Sequence, residues 1–589
     1  MHSCIRPHEY VALRLPSDVT KVIQLTPNTN ISLGKYGSFP ANQIIGRPFY
    51  LTFEIQDEPD EDGYVLRVVS AAELHAEALI TEGSGEADGE GEDFAPGGDG
   101  GVDVNVRDNR DTIDDGSTQK MTLAEIEALK KQATGAGREI IARLLESHSA
   151  LDQKTAFSLA KYTLRKRKKF LKRFTVLPVD VGLLTQWMLE EKDAGKIMEL
   201  RDEHLGLIGC WGNVHHGGNT SLDETVGAKP NGRYLIVDDT GGLVVAAMAE
   251  RMGILYRHDD EDESDAEMEQ PSNEPAAEQN GEQDTSNTTT QEGPQQERLP
   301  IRRRRARPQA MSATSTTLTV IHAHTQPNLT LLKYFGFDAS NPDESHPLHT
   351  HLKTLSWLQL VDPAADPICA NEPATVPDEV LASWKPSKRS LYHRKRQRFA
   401  RVRRVVDETR AGGFDGLIVA SLMEPASILK HAVPLLAGSA PVVVYSPTIE
   451  PLVELVDLYS TARRTAYINL KRELEERQQQ QQQKRQSQSG EPSPSTSNDK
   501  DNLPDLTADF PVDPTLLLAP SIQTSRVRPW QVLPGRTHPL MSGRGGAEGY
   551  IFHATRVIPS QERIEARGNA SRKKRKVVTS TPPAGTSAA

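Results

Sequence analysis

The chain begins with short runs in which apolar and polar positions alternate. Val11, Leu13 and Leu15 stand between polar or small neighbours, and so do Phe49, Leu51, Phe53 and Ile55; Ile23 with Leu25, Ile31 with Leu33, and Val65 to Val69 add further runs. A period of two puts every second side chain on one face, as a strand with a single buried face requires. Turn residues separate the runs at Pro16-Ser17-Asp18, Thr26-Pro27-Asn28, Gly34 to Gly37 and Asp57 to Gly63. The pattern predicts a small antiparallel β-barrel over residues 1–75, a docking platform with nothing catalytic in it.

From Thr122 the period lengthens to that of a helix. Thr122 and Glu125 form a capping box, in which hydroxyl and carboxylate each accept from the other residue's otherwise unbonded amide, and Leu123, Ile126 and Leu129 follow on one face. The pattern breaks at Gly135-Ala136-Gly137 and resumes with Ile140, Ile141, Leu144 and Leu145. Lys154 to Phe174, KTAFSLAKYTLRKRKKFLKRF, reads as a third helix with Phe157, Leu164 and Leu171 as its apolar strip. Arg233 to Gly253 reads as a buried strand, Tyr234 to Val237, ending in Asp238 and Asp239; a tight Thr240-Gly241-Gly242 turn; and a helix from Leu243 to Met252. Such a unit opens a nucleotide-binding α/β fold. The second to sixth strands of its sheet are expected at Ile254 to Tyr256, Leu318 to His322, Leu417 to Val419, Val442 to Tyr445 and Ala466 to Leu470, with helices from near Pro425 and from Pro451.

The turn after the first of these strands changes the picture. A phosphate cradle of the G-x-G-x-x-G type spaces its glycines so that the chain turns tightly, admits the ligand and packs the helix closely. Here Leu243 and Val244 follow Gly242 at once. The turn reads as a cofactor loop that has been lost, or as an ordinary strand–helix unit that never bound anything.

Composition and charge separate the folding parts from the rest. Of 589 residues, 37% are hydrophobic and 5% aromatic, and several stretches lack large apolar groups, the signature of disordered insertions. The net charge is −11, yet Glu82 to Asp115 alone carries −10 and Asp259 to Arg298 carries −13, which leaves +12 for the remainder. A basic folded part suits a nucleic-acid partner. Cys4, Cys210 and Cys369 are too few and too scattered for a disulfide framework or a C-x-x-C metal site, so a reducing compartment is expected. No apolar run reaches the ~20 residues of a membrane span, and the N-terminus has no signal-peptide core, so a soluble, intracellular protein without a membrane partner is expected.

Cations stand out in several places, among them Arg302 to Arg305, which borders the acidic insertion as either a nuclear signal or a tether. Lys161, Arg165, Lys166, Arg167, Lys168, Lys169, Lys172 and Arg173 crowd the third predicted helix. Like charges three or four residues apart destabilise a helix, a cost that a polyanion relieves, and Tyr162, Phe170 and Phe174 interleave with them to stack, wedge or pack. This segment is the first RNA-contact candidate, against the plain reading of a solvated basic helix. Lys388 to Arg404 is a second, with Arg394, Lys395 and Arg396 at its centre, and Arg536 is a third. Arg572, Lys573, Lys574, Arg575 and Lys576 form a compact block in a polar tail, read as a nuclear address. His322, His324, His346, His349 and His351 lie close in sequence, but without cysteines they are not expected to bind metal.

Several of these stretches carry a family resemblance. T-x-x-E-I-E-x-L-K-K at Thr122 to Lys131, R-E-I-I at Arg138 to Ile141 and K-T-x-F-S-x-x-K-Y at Lys154 to Tyr162 resemble the non-catalytic subunit of the nuclear tRNA (adenine-58, N1)-methyltransferase. F-D-G-L-I-V-A at Phe414 to Ala420 and V-V-V-Y-S-P-T-I-E-P-L at Val442 to Leu452 sit at matching places, and Trp530 to Met541, before a last strand Tyr550 to Ala554, looks like that family's C-terminal signature. The resemblance implies a Rossmann-like methyltransferase fold related to that of a catalytic partner, which has a glycine-rich cofactor loop after its first strand and an acidic residue at the end of its fourth. This chain has Asp239-Thr-Gly-Gly-Leu243 and Val419-Ala420-Ser421-Leu422 there. The implied role is a tRNA-binding scaffold, with S-adenosylmethionine bound and methyl transfer performed by the partner, no cofactor, catalytic or metal-binding residue in this chain, two copies of each subunit in a heterotetramer, tRNAs including initiator tRNA as substrate, and a nuclear location.

The fold class expected is α+β followed by α/β. In domains: a β-barrel, 1–75; an acidic linker, 76–118; a helical basic arm, 119–175; a methyltransferase-like domain in two parts, 176–258 and 313–471, split by an acidic insertion, 259–312; a Gln-rich insertion, 472–505; the closing strands, 506–558; and a basic tail, 559–589. Two other functions compete with the scaffold: an active RNA methyltransferase with a divergent loop, its cofactor held by Asp238 or Asp239, and a translation or RNA-processing factor with no part in methylation.

Overall fold

The structure, a computed structural model, describes residues 4–56, 65–75, 120–132, 137–148, 156–216, 232–256, 316–487, 509–533, 536–540 and 547–559. The acidic linker, the acidic insertion and, beyond residue 559, the basic tail with Arg572 to Lys576 lie outside the described residues.

The amino-terminal unit is an antiparallel sheet whose strands lie in the order β2 (Thr20–Gln24), β1 (Tyr10–Arg14), β7 (Arg173–Pro178), β5 (Thr52–Ile55) and β6 (Leu66–Val68). A ribbon of β3 (Asn30–Ser32) and β4 (Ser38–Pro40) pairs separately. Among the described residues the edge strands β2 and β6 do not pair with each other, so the sheet is open where a closed barrel was expected. Its central strand, β7, comes from the stretch read as the end of the basic helix. Phe174 packs face to face with Phe39 at 4.5 Å and with Phe53 at 5.6 Å, in a core with Val11, Leu13 and Val176. The alternation of Phe174 and Val176 is a strand signal that the preceding run of cations hid. The boundaries drawn at 175 and 176 therefore cut through a strand of the first unit.

Between β6 and β7 the described residues include the helices α1 (Leu123–Gln132), α2 (Arg138–Glu146) and α3 (Ala156–Phe170). The capping box opens α1 as expected, with the Thr122 amide donating to Glu125 at 2.8 Å and the Glu125 amide to the Thr122 hydroxyl at 3.3 Å. α2 buries Ile140, Ile141 and Leu144. Gly137 before it has φ +88°, and a Cβ there would run into the Phe170 carbonyl, so only glycine lets α2 start against the end of α3. α2 is also fixed to the sheet by charge. Arg67, Arg138 and Arg173 converge on Glu54 and Glu73.

The second unit is a seven-stranded sheet, in the order β10 (Leu352–Ser356), β9 (Thr317–His322), β8 (Arg233–Asp238), β11 (Gly416–Ala420), β12 (Pro441–Ser446), β16 (Tyr550–Arg556) and β13 (Leu517–Gln523). Strands β8 to β12 are parallel, and β16 runs antiparallel between β12 and β13. This is a doubly wound, Rossmann-like arrangement whose order reverses between β8 and β11. One face packs against α4 (Val181–Glu190), α5 (Asp202–Trp211) and α6 (Leu243–Arg251). The other packs against α8 (Pro425–Ala432), α9 (Glu450–Leu458) and, through Val405, the C-terminal end of α7 (Pro386–Arg410), while the long α10 (Thr461–Ser487) follows α9. With both faces covered, the central strands are apolar throughout.

Three strand assignments change. Ile254 to Tyr256 is not a strand: the Ile254 amide donates to the Ala249 carbonyl at 2.9 Å, so the segment closes the end of α6. The second strand is β9, paired with β8 from Arg233 with Thr317 to Val237 with Ile321, and the third is β10. Ala466 to Leu470 lies within α10, and the sixth strand is β13. Helix α10 also takes in Gln478 to Ser487, assigned to the low-complexity insertion; glutamine is a good helix former and extends a helix already under way.

Candidate functional site

In a doubly wound sheet a ligand lies beyond the carboxyl ends of the strands, where the strand order reverses. Here that place lies between the ends of β8 and β11, and its polar groups are spent on each other. Asp238 is buried; its carboxylate accepts from the Thr240 amide at 2.6 Å, the Thr240 hydroxyl at 2.5 Å and the Val245 amide at 3.2 Å. It thus binds the free amides of the turn and of the first turn of α6. Burial pushes its pKa up to about 6, against those hydrogen bonds. Asp239 crosses the reversal point: its Oδ2 accepts from the Ser421 hydroxyl at 2.5 Å and the Leu422 amide at 3.0 Å, while its own amide donates to the Ala420 carbonyl at 2.8 Å. The two strand ends are stitched together where a cofactor would part them.

The glycine turn is covered as well. After β9 the chain returns as Leu329 and a short 3-10 helix, Thr330–Phe335, with Leu329, Leu331 and Leu332 buried. The Leu331 amide donates to the Gly241 carbonyl at 3.0 Å. A Cβ on Gly242 would lie 3.2 Å from the Leu329 Cα, and one on Gly241 would lie 3.4 Å from the Leu331 side chain. The glycines serve a turn with φ +75° and +91° under a leucine cap. An S-adenosylmethionine site would need an open glycine approach and a free acidic group; here the turn lies under leucines and both aspartates are hydrogen-bonded within the fold. Sequence reading found the turn and missed the cap; the signal available was Leu329, Leu331 and Leu332 close behind β9.

The candidate RNA contacts divide into groups. On α3, Arg165, Lys168 and Lys169 are exposed, and Lys161, Lys166 and Arg167 are half-buried, as is Lys172 beyond the helix end. Lys168 pairs with Asp18, and the Tyr36 hydroxyl donates to the Lys168 carbonyl at 2.9 Å. Lys166 lies over the Tyr162 ring at 4.8 Å, its pKa lowered by burial and by Lys169. Arg173 is a correction. It lies on β7, not on the helix, and its buried guanidinium holds Glu54 at 3.1 Å, so it is a structural ion pair and not an RNA contact. Phe174 likewise packs in the core and cannot stack on a base.

Helix α7 exposes Arg394, Lys395 and Arg396, and also Arg398, Arg401, Arg403 and Arg404, which only the segment-level reading had included. Tyr392 anchors its start, donating to the Ala374 carbonyl at 3.2 Å and meeting Trp384 edge-on at 5.8 Å. Arg536 opens β15 (Arg536–Pro539), which pairs with β14 (Trp530–Leu533); its side chain lies outside what is described. That hairpin packs beside α3 and exposes Trp530 (58%) and Val532 (72%). Among the described residues no group of three or more His, Cys, Asp and Glu could hold a metal ion, and no helix is long and apolar enough to cross a membrane.

Comparison with known proteins agrees with the resemblance. The family model described as Gcd10p family matches residues 4–385. A protein of Aspergillus fumigatus named tRNA (adenine(58)-N(1))-methyltransferase non-catalytic subunit trm6 is 64% identical over 98% of this chain and 96% of its own length. One of the same name from Debaryomyces hansenii is 29% identical over 97% of this chain and 90% of its own. Among solved structures, a tRNA (m1A58) methyltransferase from Aquifex aeolicus covers 94% of this chain and 100% of its own at 9% identity, with a TM-score of 0.33.

Proposed function

This chain belongs to the Gcd10p family, and from that premise we propose that it is the non-catalytic, tRNA-binding subunit of a tRNA (adenine-58, N1)-methyltransferase, working with a separate catalytic chain. The observation that carries the reading is the stitched and capped crevice. Asp239 bound to Ser421 and Leu422, and Gly241 and Gly242 under Leu329 and Leu331, support a chain that does not take up S-adenosylmethionine. No carboxylate at the end of β11 faces a substrate base to take its proton. The methyl donor and the chemistry then belong to the partner, and this chain supplies surfaces. The exposed cations of α3 and α7 position the tRNA through its phosphates without reading its sequence, for initiator tRNA as for others. Trp530 and Val532, apolar and exposed on a hairpin beside α3, form the patch on which the catalytic chain docks. Two copies of each chain complete the assembly, and the basic tail, Arg572 to Lys576, directs it to the nucleus.

Three preparations test this: the chain alone, the catalytic chain alone, and the two together, each assayed for methyl transfer to tRNA and titrated with S-adenosylmethionine by calorimetry. Transfer is expected only from the pair, and this chain alone should show no saturable binding up to millimolar cofactor. Tight cofactor binding or turnover by the chain alone would overturn the scaffold reading in favour of a divergent methyltransferase.

A further inference from the structure

Between Arg394 and Arg404, helix α7 exposes seven cations and no acid. Among the described residues, the one ion pair made by these cations joins Arg403 to Asp407 at 3.1 Å. Repulsion between like charges one turn apart opposes such a helix, so a standing counter-charge would stabilise it whether or not RNA is present. The chain has one to offer. Asp259 to Glu269 holds eight acids in eleven residues, beginning three residues after Tyr256, the last described residue before it.

A continuous path of contacts leads from Tyr256 to α7. The Tyr256 ring meets Phe335 edge-on at 6.1 Å. His346 contacts the Phe335 carbonyl at 3.2 Å and packs on Phe337 at 5.2 Å. Phe337 lines a groove of about 840 Å³ whose far wall is α7, with Gln397, Arg401, Arg404 and Val405. The acidic run thus follows directly on Tyr256, which Phe335, His346 and Phe337 link to the arginine-lined groove. Fully extended at ~3.3 Å per residue, its eleven residues reach ~36 Å, whereas Lys388 to Arg404 spans ~24 Å of helix. Reach and charge both match.

We propose that Asp259 to Glu269 docks along the Arg394–Arg404 face of α7 as an intrachain polyanion that RNA must displace. The inference rests on the reading of α7 as an RNA surface and adds its regulation. Weak polyanions would not dislodge the run, whereas a tRNA held at the same time by α3 would, so the internal competitor trades affinity for selectivity. An effective concentration on the order of millimolar, against an affinity of a few hundred micromolar for a short acidic peptide, weakens tRNA binding about fivefold.

The test uses the full chain in complex with its catalytic partner. Zero-length carbodiimide coupling should join Lys388 or Lys395 to carboxylates of Asp259–Glu269, and tRNA or about 0.5 M salt, which shortens the Debye length to near 4 Å, should suppress the cross-links. In a mixture of isotopically light and heavy chains they should stay within one chain; cross-links between chains would overturn the intrachain assignment. Replacing the eight acids by Asn and Gln should tighten tRNA binding about fivefold at ~0.1 M salt, and should do nothing when Arg394, Lys395, Arg396 and Arg398 are already Gln. Absent cross-links, while those α7 replacements still weaken tRNA binding, overturn this inference alone. An α7 variant with unchanged tRNA affinity overturns the RNA reading beneath it, and the competition with it.

Discussion

Replacing Arg165, Lys168 and Lys169 by Gln removes the exposed cations of α3 and leaves what holds the helix in place. Gln keeps helix propensity. The Tyr36 bond goes to the Lys168 backbone carbonyl and survives the change, and the lost side-chain contact is the exposed pair with Asp18, worth at most about 1 kcal/mol. Each phosphate contact contributes roughly 0.7 to 0.9 to the log–log salt slope, so three lost contacts flatten it by about 2 to 3. Extrapolated to ~0.15 M salt, each contact is worth about four- to fivefold, and the triple variant binds tRNA on the order of 100-fold more weakly. Polarisation of labelled tRNA, titrated with the reconstituted complex from ~0.05 to ~0.3 M KCl, measures both slope and affinity; a thermal melt of the same samples separates contact from folding. The loss should be similar for different tRNAs, because phosphate contacts carry no sequence information. A wild-type slope with an unchanged melting temperature would make α3 a solvated face and leave α7 as the RNA surface.

Two further outcomes follow from the amino-terminal unit and the hairpin. Hydrogen bonds from Arg67 and Arg138 hold Glu73 at about 2, against an ordinary 4.5; at Glu54, burial raises the pKa but hydrogen bonds from Arg67 and Arg173 and the charge of Arg138 outweigh it, so the value is lowered. Folded values below the unfolded ones stabilise the fold above pH 4.5, and that stability drains away as pH falls from about 4.5 toward 2. The melting-temperature gap between the wild type and Glu73→Gln should therefore be constant near pH 6–7, narrow below about 4.5 and close near 2; a gap that ignores pH would show that charge is not what Glu73 contributes. Trp530→Ser with Val532→Ser should weaken binding of the catalytic chain by about 30-fold or more, the scale of a tryptophan hot spot. Because both side chains are exposed, the melting temperature of the isolated chain should not fall. Assembly at wild-type affinity, followed by calorimetry, would move the partner surface elsewhere.

Periodicity and local chemistry were enough for the capping box at Thr122, the strand–turn–helix unit from Arg233, and β11 and β12, because each is specified by residues adjacent in the chain; β16 came with the family resemblance. The misplaced glycines were legible for the same reason: Leu243 directly after Gly242 is a local fact. What the local pattern could not decide was partnership. Arg173 looks like its cationic neighbours until Glu54, 119 residues away, claims it in the middle of a sheet. Ile254 and Leu255 are as apolar as a strand, but the Ala249 carbonyl accepts from the Ile254 amide, and the place beside β8 goes to Thr317–His322. Asp238 and Asp239 stand where cofactor ligands stand in such folds; only the tertiary arrangement spends one on the turn and helix beside it and the other on Ser421. The closing of the crevice by Leu329 and Leu331 is also a long-range event, since a buried leucine in sequence does not say what it covers. Sequence thus determined the helix start at Thr122, the turn after Val237 and the central apolar strands, since those depend on neighbours along the chain. Burial and hydrogen bonding between segments far apart in the chain decided which charges are spent inside the fold and which are exposed.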